Sequence, residues 1–419
     1  MFQVVKGTRD ILPERIEVWQ RAERMAHEVF HLYGFREIRT PILESTDLFR
    51  QGLGSDTDVV KKEMYTFLDR KGRSLTLRPE NTAPVVRAYL EDGRHRRAGL
   101  DRMYYVGPMF RYEQPQKGRY RQFHQIGVEV FGGKEPEVDA ETMEMVLYFL
   151  DRLGIGGCQL ELNTVGDETC RPGYRKVLMD ALVSHQGELC RDCRERYRGN
   201  PLRILDCKQE TCRTILRDGP FLQDHLCAGC REHFHAVQRI LEDLEVPFRI
   251  QPRIVRGLDY YTRTTFEVTN STLGAQDSLL GGGRYDGLVE RFGGPAVPGF
   301  GFAIGLDRLV LVLSGGGDEA PVPTGIFLIA TGGEVSRWFM KTARKLRRRG
   351  LRVVNEFGEK SLKAQMRRAD RSGCSHVLIR PEETPGRVRV RRLQDGEQSE
   401  FDQEAWEEIV REVNIGKGE

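Results

Sequence analysis

The segment from residue 64 to residue 131 constrains the fold most, because short extended runs follow one another there with little helical pattern. Turn-forming residues separate the runs, and one helical piece near 83–92 interrupts the series. Runs rich in β-branched and aromatic residues between turn signals are typical of neighbouring strands. The segment therefore predicts a mostly antiparallel sheet. The runs are MYTFLD, SLTLRPE, RMYYVGPMFRYE and QFHQIGVEVFG.

Helices are predicted before and after this sheet. Residues 13–33 place apolar side chains three and four positions apart, which is the spacing of an amphipathic helix. Pro13 suits its first turn and Gly34 its C-terminal cap. The next stretch, FREIRTPILE, is predicted to be extended, with Pro41 suited to an edge strand. A second helix is predicted near 137–153.

Chain length and pattern predict more than one domain. The 419 residues exceed what one hydrophobic core usually serves, and the Gly- and Pro-rich segment 313–325 is the expected linker. Beyond it, three apolar runs alternate with helical stretches at 334–349 and 360–371, as in a small α/β domain with parallel strands. The expected divisions are a domain at 1–320, a charged, mainly helical insertion within it at about 165–240, and a second domain at 325–419.

Composition narrows the class of protein. The chain has 65 Lys and Arg against 62 Asp and Glu, and a net charge of +3 is too small by itself to indicate a polyanionic partner. No stretch approaches the ~20 apolar residues of a membrane helix, and the start MFQVVKGTRD lacks a basic segment followed by an apolar run. We expect no membrane partner and a cytoplasmic location.

The stretch RGLDYYTRTTFEV, residues 256–268, places Arg256 just ahead of Tyr260 and Tyr261 at the entrance to a predicted strand. Core packing does not call for an arginine there. For a single cluster of this kind, a surface arginine with two half-buried tyrosines at a sheet edge is the better interpretation.

The stretch FRYEQPQKGRYRQFHQ is predicted to be a hairpin that presents Arg111, Glu113 and Phe123 together. An arginine suits a phosphate oxygen, an aromatic ring can stack on a nucleobase, and the basic loop of Lys117, Arg119 and Arg121 could meet a nucleic acid backbone. A solvated hairpin tip is the alternative for the loop.

Two further stretches place polar groups where a ligand could bind. Glu80 and Thr82 lie at a strand end before a helix, where a carboxylate could meet an ammonium or cap the helix. Gln125 and Glu129 share one face of a strand with Gly127, and polar groups on an otherwise apolar strand invite a ligand.

Glycines mark two more stretches. GFGFAIGLDRLVLVL, residues 299–313, places four glycines before an apolar helix that contains Arg308, and GGGRYDGL occupies 281–288. Glycine costs stability unless close approach requires it, so each stretch could form a ligand wall, although a bulge or turn is as good an explanation of the second.

Six of the nine cysteines lie between residues 190 and 230. Two CxxC pairs, Cys190 with Cys193 and Cys227 with Cys230, could supply the four thiolates of a structural zinc site. The gap between the pairs exceeds the common zinc-ribbon spacing, so unligated thiols are the alternative.

Taken together, these stretches resemble the class II aminoacyl-tRNA synthetases. Residues 13–44 resemble motif 1, FRYEQPQKGRYRQFHQIGVEVFG resembles motif 2 and GFGFAIGLDRL resembles motif 3. RGLDYYTRTTFE and GGGRYDGL are similar to the two signatures peculiar to histidyl-tRNA synthetases. The resemblance implies an α+β catalytic domain with an antiparallel sheet flanked by helices, an insertion, a C-terminal α/β anticodon-binding domain, and a homodimer formed through motif 1.

The resemblance also implies the reaction and its residues. A histidine–tRNA ligase activates L-histidine with ATP and Mg²⁺ to histidyl-adenylate, then transfers histidine to tRNA(His). The implied ATP ligands are Arg256 and Arg111 at the α-phosphate, Glu113 and Phe123 at adenine and Arg308 at the γ-phosphate. The implied histidine ligands are Glu80, Thr82 and Gln125 at the ammonium, with Asn81 beside them, Glu129 and Tyr261 at the imidazole, and Tyr260 in the pocket wall.

Two departures and one rival accompany the resemblance. Gln114 stands where the family usually has arginine, and Asn81 stands where glycine is common. The rival is a catalytically silent paralogue that serves as a regulatory subunit of ATP phosphoribosyltransferase. Such paralogues typically lack the anticodon-binding domain and the arginine signatures, which this chain has.

Overall fold

The computed structural model describes residues 2–54, 57–116, 118–255, 259–274, 278–315, 323–330, 335–357 and 360–414. The helices are α1 Pro13–Leu32, α2 Thr46–Leu53, α3 Thr82–Glu91, α4 Pro136–Arg152, α5 Arg171–Leu182, α6 Arg191–Arg198, α7 Glu210–Ile215, α8 Ala228–Asp243, α9 Leu288–Arg291, α10 Leu306–Leu313, α11 Val335–Arg347, α12 Leu362–Ala369 and α13 Trp406–Asn414. The strands are β1 Arg36–Glu37, β2 Leu43–Ser45, β3 Tyr65–Leu68, β4 Ser74–Leu77, β5 Asp101–Phe110, β6 Gln122–Phe131, β7 Cys158–Thr164, β8 Phe248–Ile250, β9 Thr262–Asn270, β10 Ser278–Arg284, β11 Gly299–Gly305, β12 Ile326–Ala330, β13 Val353–Val354, β14 His376–Arg380, β15 Arg387–Arg392 and β16 Gln398–Asp402.

The chain divides into two compact units, Met1–Asp318 and Glu319–Glu419. The first contains an eight-stranded sheet in the order β1-β5-β6-β11-β10-β9-β7-β8. Its central pairs are antiparallel, and only the two edge pairs, β1 with β5 and β7 with β8, are parallel. The predicted antiparallel sheet is therefore confirmed.

One face of this sheet forms the main core. Side chains that alternate along the strands, such as Val128, Phe266 and Phe302, pack against α1, α4, α8 and α10. Phe30 of α1 and Phe149 of α4 are fully buried there, with ring centroids 5.5 Å apart. Burying a side chain of this size contributes about 1.5–3 kcal/mol, so the helical layer fixes this face firmly.

The opposite face of the sheet is lined with glycine. Gly107, Gly127, Gly301 and Gly283 lie on this face of β5, β6, β11 and β10, and Gly283 pairs directly with Gly301. Because paired residues point to the same side of a sheet, these positions leave room beside the side chains that share the face. Gln125 and Glu129 of β6 lie on the same face.

The stretch FREIRTPILE, predicted to be a continuous extended segment, forms two short strands in different sheets. β1 pairs with β5 at the edge of the large sheet, whereas β2 belongs to a three-stranded sheet in the order β2-β4-β3. Pro41 lies between them and lacks the N–H that a ladder requires. Arg78 bonds the backbone next to this proline, because its Nη1 donates to the Thr40 carbonyl at 3.0 Å.

A helical insertion lies between β7 and β8. It contains α5, α6, α7 and α8, and its short helices bury few side chains: Cys193 is the buried residue of α6 and Cys212 that of α7. Larger apolar residues, Tyr174 and Leu178, are buried on α5. The cysteines therefore occupy positions where an apolar core would normally be found.

The second unit holds a five-stranded sheet in the order β13-β12-β14-β15-β16. Its first three strands are parallel, as predicted, and α11 and α12 connect them. The antiparallel hairpin β15–β16 and the final helix α13 were not anticipated. The signal was present in RVRVRR, where Val388 and Val390 alternate with arginines and are buried while the arginines face outward.

Candidate active site

A buried carboxylate, Glu129, forms the centre of the glycine-lined face. Its Oε1 accepts a hydrogen bond from Thr82 Oγ1 at 2.7 Å, and its Oε2 accepts one from the Tyr285 hydroxyl. Burial raises the pKa of Glu129 to about 8; the bonds from Tyr285 and Thr82 oppose this shift, while nearby Glu80 adds to it. Glu129 is only 1% exposed, and both of its oxygens are held by hydrogen bonds. A carboxyl group with a pKa shifted in this way is suited to bind a polar ligand.

Glycine makes room for this carboxylate. Gly301 lies opposite Glu129 in the β6–β11 pairing, and a Cβ there would overlap Glu129 Oε2 and the Val128 carbonyl. A Cβ at Gly127 would similarly overlap the Tyr105 ring. Close approach thus explains Gly301 and likewise Gly299, where a Cβ would overlap the Tyr285 ring.

Glu80 caps helix α3. Its Oε2 accepts from the Thr82 N–H at 2.7 Å and its Oε1 from the Ala83 N–H at 3.0 Å. Burial raises the pKa of Glu80, and the two backbone bonds oppose this shift. The capping role foreseen as an alternative is thus present, and each carboxylate oxygen has a further lone pair available to an ammonium.

Asn81 makes structural contacts. Its Oδ1 accepts from Thr40 Oγ1 at 2.6 Å and from Arg78 Nη1 at 3.1 Å. Arg78 itself is 5% exposed and also donates to the Pro108 carbonyl at 2.9 Å. The oxygen of Asn81 therefore fixes the turn before α3 rather than facing a ligand.

Two polar atoms on the glycine-lined face have no protein partner. Within the part of the chain that the structure describes, the buried Gln125 Oε1 and Thr265 Oγ1 make no hydrogen bond. Thr265 lies opposite Gly283 in the β9–β10 pairing, so it shares the face with Gln125 and Glu129. Buried polar atoms are nearly always bonded, and an unpartnered pair of this kind indicates a position that a ligand fills.

Tyr260 and Tyr261 close one side of the site. They are 4% and 8% exposed, with ring centroids 4.7 Å apart, and Tyr260 lies 5.7 Å from Tyr285 in an edge contact. Arg171, at the start of α5, donates to the Tyr261 carbonyl. Both tyrosines are therefore buried, not half-buried as in the alternative interpretation.

The predicted hairpin is the β5–β6 pair. Arg111 and Glu113 follow β5 immediately, with Arg111 Nη1 3.9 Å from Glu113 Oε1, and the Arg111 guanidinium lies 5.4 Å from the centroid of the Phe123 ring. Arg111 Nε donates to the Pro79 carbonyl at 2.8 Å, which directs the guanidinium towards the turn before Glu80. The three side chains are therefore brought together, next to the buried carboxylates.

The basic loop of this hairpin is partly neutralised. Arg119 Nη1 lies 3.5 Å from Glu113 Oε2, and the Arg121 guanidinium lies 3.8 Å from the centroid of the Tyr112 ring. Lys117 lies outside the described residues. The loop also packs on the motif 3 helix, because a Cβ at Gly118 would be 3.0 Å from Leu311 and 3.3 Å from Arg308.

Arg308 lies on α10, directly after the glycine-rich strand β11, and donates to the Ser278 carbonyl. Its neighbour Asp307 is nearly buried and accepts from Arg9 Nη2 at 2.8 Å and from the His124 N–H at 2.9 Å. The N-terminal segment is thereby tied to the hairpin and to α10. Arg256, the residue expected at the α-phosphate, lies outside the described residues.

Two long-range contacts were missed in the sequence, one in the site and one in the core. Tyr285 belongs to the quoted stretch GGGRYDGL, two residues after Gly283, and no local pattern showed that its hydroxyl reaches Glu129. Arg284 is fully buried and pairs with Asp139, which also accepts from His233 Nε2 at 2.9 Å. Arg284 lies 145 positions from Asp139, and no local pattern could have shown that pairing.

The cysteines are grouped differently from the prediction. Cys190 and Cys193 lie with Cys207 and Cys212, whereas Cys227 and Cys230 lie with Cys170 and Asp167. The predicted zinc site of Cys190, Cys193, Cys227 and Cys230 is therefore wrong, because the structure does not bring these four residues together. Each CxxC pair begins a different helix, and each finds its partners in its own part of the insertion.

Comparison with known proteins decides the family. A family model for histidyl-tRNA synthetase matches residues 7–309, and a model for an anticodon binding domain matches residues 326–413. The chain belongs to the histidyl-tRNA synthetase family. The predicted fold, a class II catalytic sheet with a C-terminal anticodon-binding domain, is confirmed by these matches.

Relatives of this family match along nearly the whole chain. The histidine–tRNA ligase of Syntrophotalea carbinolica is 46% identical and covers 98% of this chain and 99% of its own length. The histidine–tRNA ligase of Desulforudis audaxviator is 51% identical over 89% of each chain. The crystal structure of apo S. aureus histidyl-tRNA synthetase, 34% identical, covers 99% of this chain and 100% of its own with a TM-score of 0.80.

These histidyl-tRNA synthetase relatives confirm the predicted enzyme class and activity, a ligase of histidine and tRNA, and an enzyme of this class uses ATP with a divalent metal ion. The rival, a regulatory paralogue, is less supported, because full-length relatives are ligases and the anticodon-binding domain is present. Among the described residues, no helix is sufficiently long and apolar to span a bilayer.

Proposed function

We propose that this chain activates L-histidine with ATP and Mg²⁺ to histidyl-adenylate on the glycine-lined face of the large sheet, then transfers histidine to the 3′ end of tRNA(His). The observation that carries the proposal is the buried group of Glu129, Thr82 and Tyr285 beside the unpartnered Gln125 Oε1. A buried polar pocket of this composition suits a small, polar, nitrogen-rich ligand better than an apolar one.

Histidine is assigned to the two buried carboxylates. Its imidazole nitrogens would bind at Glu129 and Tyr261, and its ammonium at Glu80, Thr82 and Gln125. Glu80 and Glu129 supply hydrogen-bond acceptors. Gln125 supplies a further acceptor, its Oε1, which has no partner among the described residues. A ligand without the ring nitrogens would leave these groups unbonded, and sites of this kind reject such analogues by ~10⁴ or more.

ATP is assigned to the hairpin and to α10. Adenine would bind between Phe123 and Glu113, the α-phosphate at Arg111 and Arg256, and the γ-phosphate at Arg308. Attack of the histidine carboxylate places negative charge on the α-phosphate, and a guanidinium already fixed in position stabilises that charge without reorganising. The bond from Arg111 to the Pro79 carbonyl supplies such fixation. Mg²⁺ would accompany the phosphates.

tRNA(His) is assigned in part to exposed cations of the second unit. Arg344, Arg348, Lys363 and Arg367 are exposed and make no ion pair with the described residues, so their charges are available to phosphates. Lys345, Arg349 and Arg368 instead pair with glutamates. Some cations on and beside α11 and α12 are therefore candidates for contacts with phosphates, whereas others form surface ion pairs.

The active form is proposed to be a homodimer assembled through residues 13–44. Three apolar residues of this segment, Leu32, Ile42 and Leu43, are 41–67% exposed, and exposed apolar side chains suit burial against a second copy. Light scattering should give twice the chain mass, and Leu43→Glu should lower it. We retain the cytoplasm, where tRNA and ATP are present, as the proposed location.

The first test is ATP–pyrophosphate exchange with each of the common amino acids, followed by charging of tRNA(His). Exchange stimulated by histidine alone is expected. Arg256→Ala should reduce it by about 10³-fold, whereas Arg249→Ala, which removes an exposed arginine that forms no ion pair with the described residues, should leave it unchanged. Absence of exchange with every amino acid in a folded protein would overturn the proposed reaction.

A further inference from the structure

Four cysteine sulfurs converge inside the insertion. The Sγ atoms of Cys190, Cys193, Cys207 and Cys212 all lie within 4.8 Å of one another, and Cys190 Sγ is 3.8 Å from Cys207 Sγ. A tetrahedral zinc ion with Zn–S bonds of about 2.3 Å requires sulfurs about 3.8 Å apart. A disulfide requires about 2.05 Å, and all four are free thiols.

Backbone groups in this cluster are arranged to stabilise thiolates. The Cys193 N–H donates to Cys190 Sγ at 3.4 Å, and the Cys190 N–H donates to Cys212 Sγ at 3.3 Å. Cys190 is also the N-cap of α6, where the helix dipole favours a negative sulfur. Metal-bound cysteine is a thiolate, so the backbone is suited to the bound form.

A second group lies where the insertion joins the catalytic sheet. Asp167 and Cys170 follow β7, and Cys227 and Cys230 begin α8; their ligand atoms lie within 4.8 Å of one another. Cys170 Sγ is 3.9 Å from Cys230 Sγ, and Cys227 Sγ is 3.8 Å from Asp167 Oδ1. The Asp167 N–H donates to Cys170 Sγ at 3.3 Å, as backbone does in the first group.

The environment of the first group favours a structural metal. α6 and α7 each bury a single residue, and in both helices it is a cysteine of this group. The buried apolar residues of the insertion, such as Leu178 and Ile204, lie outside these two helices. Four ligands at one point would hold the two short helices together, as in other small metal-dependent folds.

We propose that the insertion binds two zinc ions, one on Cys190, Cys193, Cys207 and Cys212 and the other on Asp167, Cys170, Cys227 and Cys230. The first ion stabilises the outer part of the insertion, and the second fastens its two ends together. On binding, each thiol that becomes a ligand releases its proton to solvent. Both sites are closed four-ligand sets, so neither ion has an open position for substrate.

The test is metal content, measured by plasma mass spectrometry on full-length protein purified without a metal-affinity step. Two zinc ions per chain are expected. Cys207→Ser and Cys227→Ser should each retain one, while Cys158→Ser and Cys374→Ser, which lie outside both groups, should retain two. X-ray absorption on the wild type should give Zn–S distances near 2.3 Å, with a shorter Zn–O contribution from Asp167.

Other results would overturn the proposal in defined ways. One zinc per chain, lost only in Cys207→Ser, would remove the second site, and loss only in Cys227→Ser would remove the first. Iron in place of zinc would overturn the identity of the metal, since four thiolates also suit iron. Nine titratable thiols without metal in folded wild type would overturn both sites. These measurements do not depend on pyrophosphate exchange, so failure here and failure of the proposed function can be told apart.

Discussion

Glu129 lies directly opposite Gly301 in the pairing of β6 with β11, and a methyl group at position 301 would occupy the space of Glu129 Oε2. The carboxylate could not keep its bonds to Thr82 and Tyr285 if that space were filled. The orientation of the most buried acidic group in the site thus depends on the absence of a side chain on the neighbouring strand.

Gly301→Ala is expected to displace the Glu129 carboxylate and reduce histidine-dependent pyrophosphate exchange by about 100-fold, since a misplacement of about 1 Å is worth that much. Gly287→Ala is the matched control, because nothing lies within 4 Å of a Cβ there and its φ is −91°. Kinetics of both variants, with circular dichroism to establish folding, check the prediction. Equal activity of the two variants would contradict it.

Tyr285→Phe is expected to raise the KM for histidine with little change in the KM for ATP. It removes one donor to Glu129, which is mostly protonated at neutral pH because burial raises its pKa to about 8. A hydrogen bond to an uncharged group is worth about 0.5–1.5 kcal/mol, or roughly 2- to 10-fold. Tyr148→Phe, which removes a hydroxyl bonded to exposed Arg152, should change neither constant. A parallel rise in both KM values in Tyr285→Phe would argue against the assignment.

Wild type should lose stability relative to Glu129→Gln as the pH rises. The ordinary pKa of a glutamate here is 4.5, and burial raises the pKa of Glu129 to about 8. Between these values the folded state holds a proton that the unfolded state has released, so the free energy of unfolding falls as the pH rises. The loss is at most about 5 kcal/mol. Urea unfolding from pH 5 to pH 9 measures it, and a pH-independent difference would contradict the expectation.

Asp139→Asn is expected to lower the free energy of unfolding by about 3 kcal/mol, because it removes the fully buried counter-charge of Arg284 and leaves only the partly exposed Asp286, 3.1 Å away. Burial alone would raise the pKa of Asp139, but Arg284 and His233 hold it below the ordinary value. Its stabilisation is therefore lost as the pH falls through that lowered pKa.

The control for that variant is Glu91→Gln, which removes one partner of an exposed pair with Arg87 and should cost less than about 1 kcal/mol. Urea unfolding of both variants at pH 7 makes the comparison. A similar small loss in both would show that the buried pair contributes no more than a surface one.

Local patterns predicted the parts of this structure that depend on neighbouring residues. The shared face of Gln125, Gly127 and Glu129 follows from the two-residue repeat of a strand, and the hairpin that joins Arg111 to Phe123 follows from two extended runs with a turn between them. The role of each residue towards histidine or ATP came from the resemblance and remains a prediction.

Contacts between distant segments could not be predicted in the same way. The bond from Tyr285 to Glu129 spans 156 positions and the pair of Arg284 with Asp139 spans 145. The prediction of the cysteine site was wrong for a similar reason, because CxxC spacing identifies a pair of ligands but not the residues that complete the site. Asn81 was placed beside the pocket by its neighbours in sequence. Its oxygen is held by Arg78, while its buried Nδ2 makes no hydrogen bond among the described residues, so its role towards histidine remains a prediction.

The close approach of Asp167 to Cys227, 3.8 Å between Oδ1 and Sγ, also bears on how this chain can change. The part of the insertion between Asp167 and Cys227 begins and ends at that point, so these residues could be shortened, replaced or exchanged for another small fold while β7 and α8 kept their places. The insertion can therefore vary in evolution without disturbing the catalytic sheet. The same junction can also be used to graft a sensor or a binding module next to the catalytic unit.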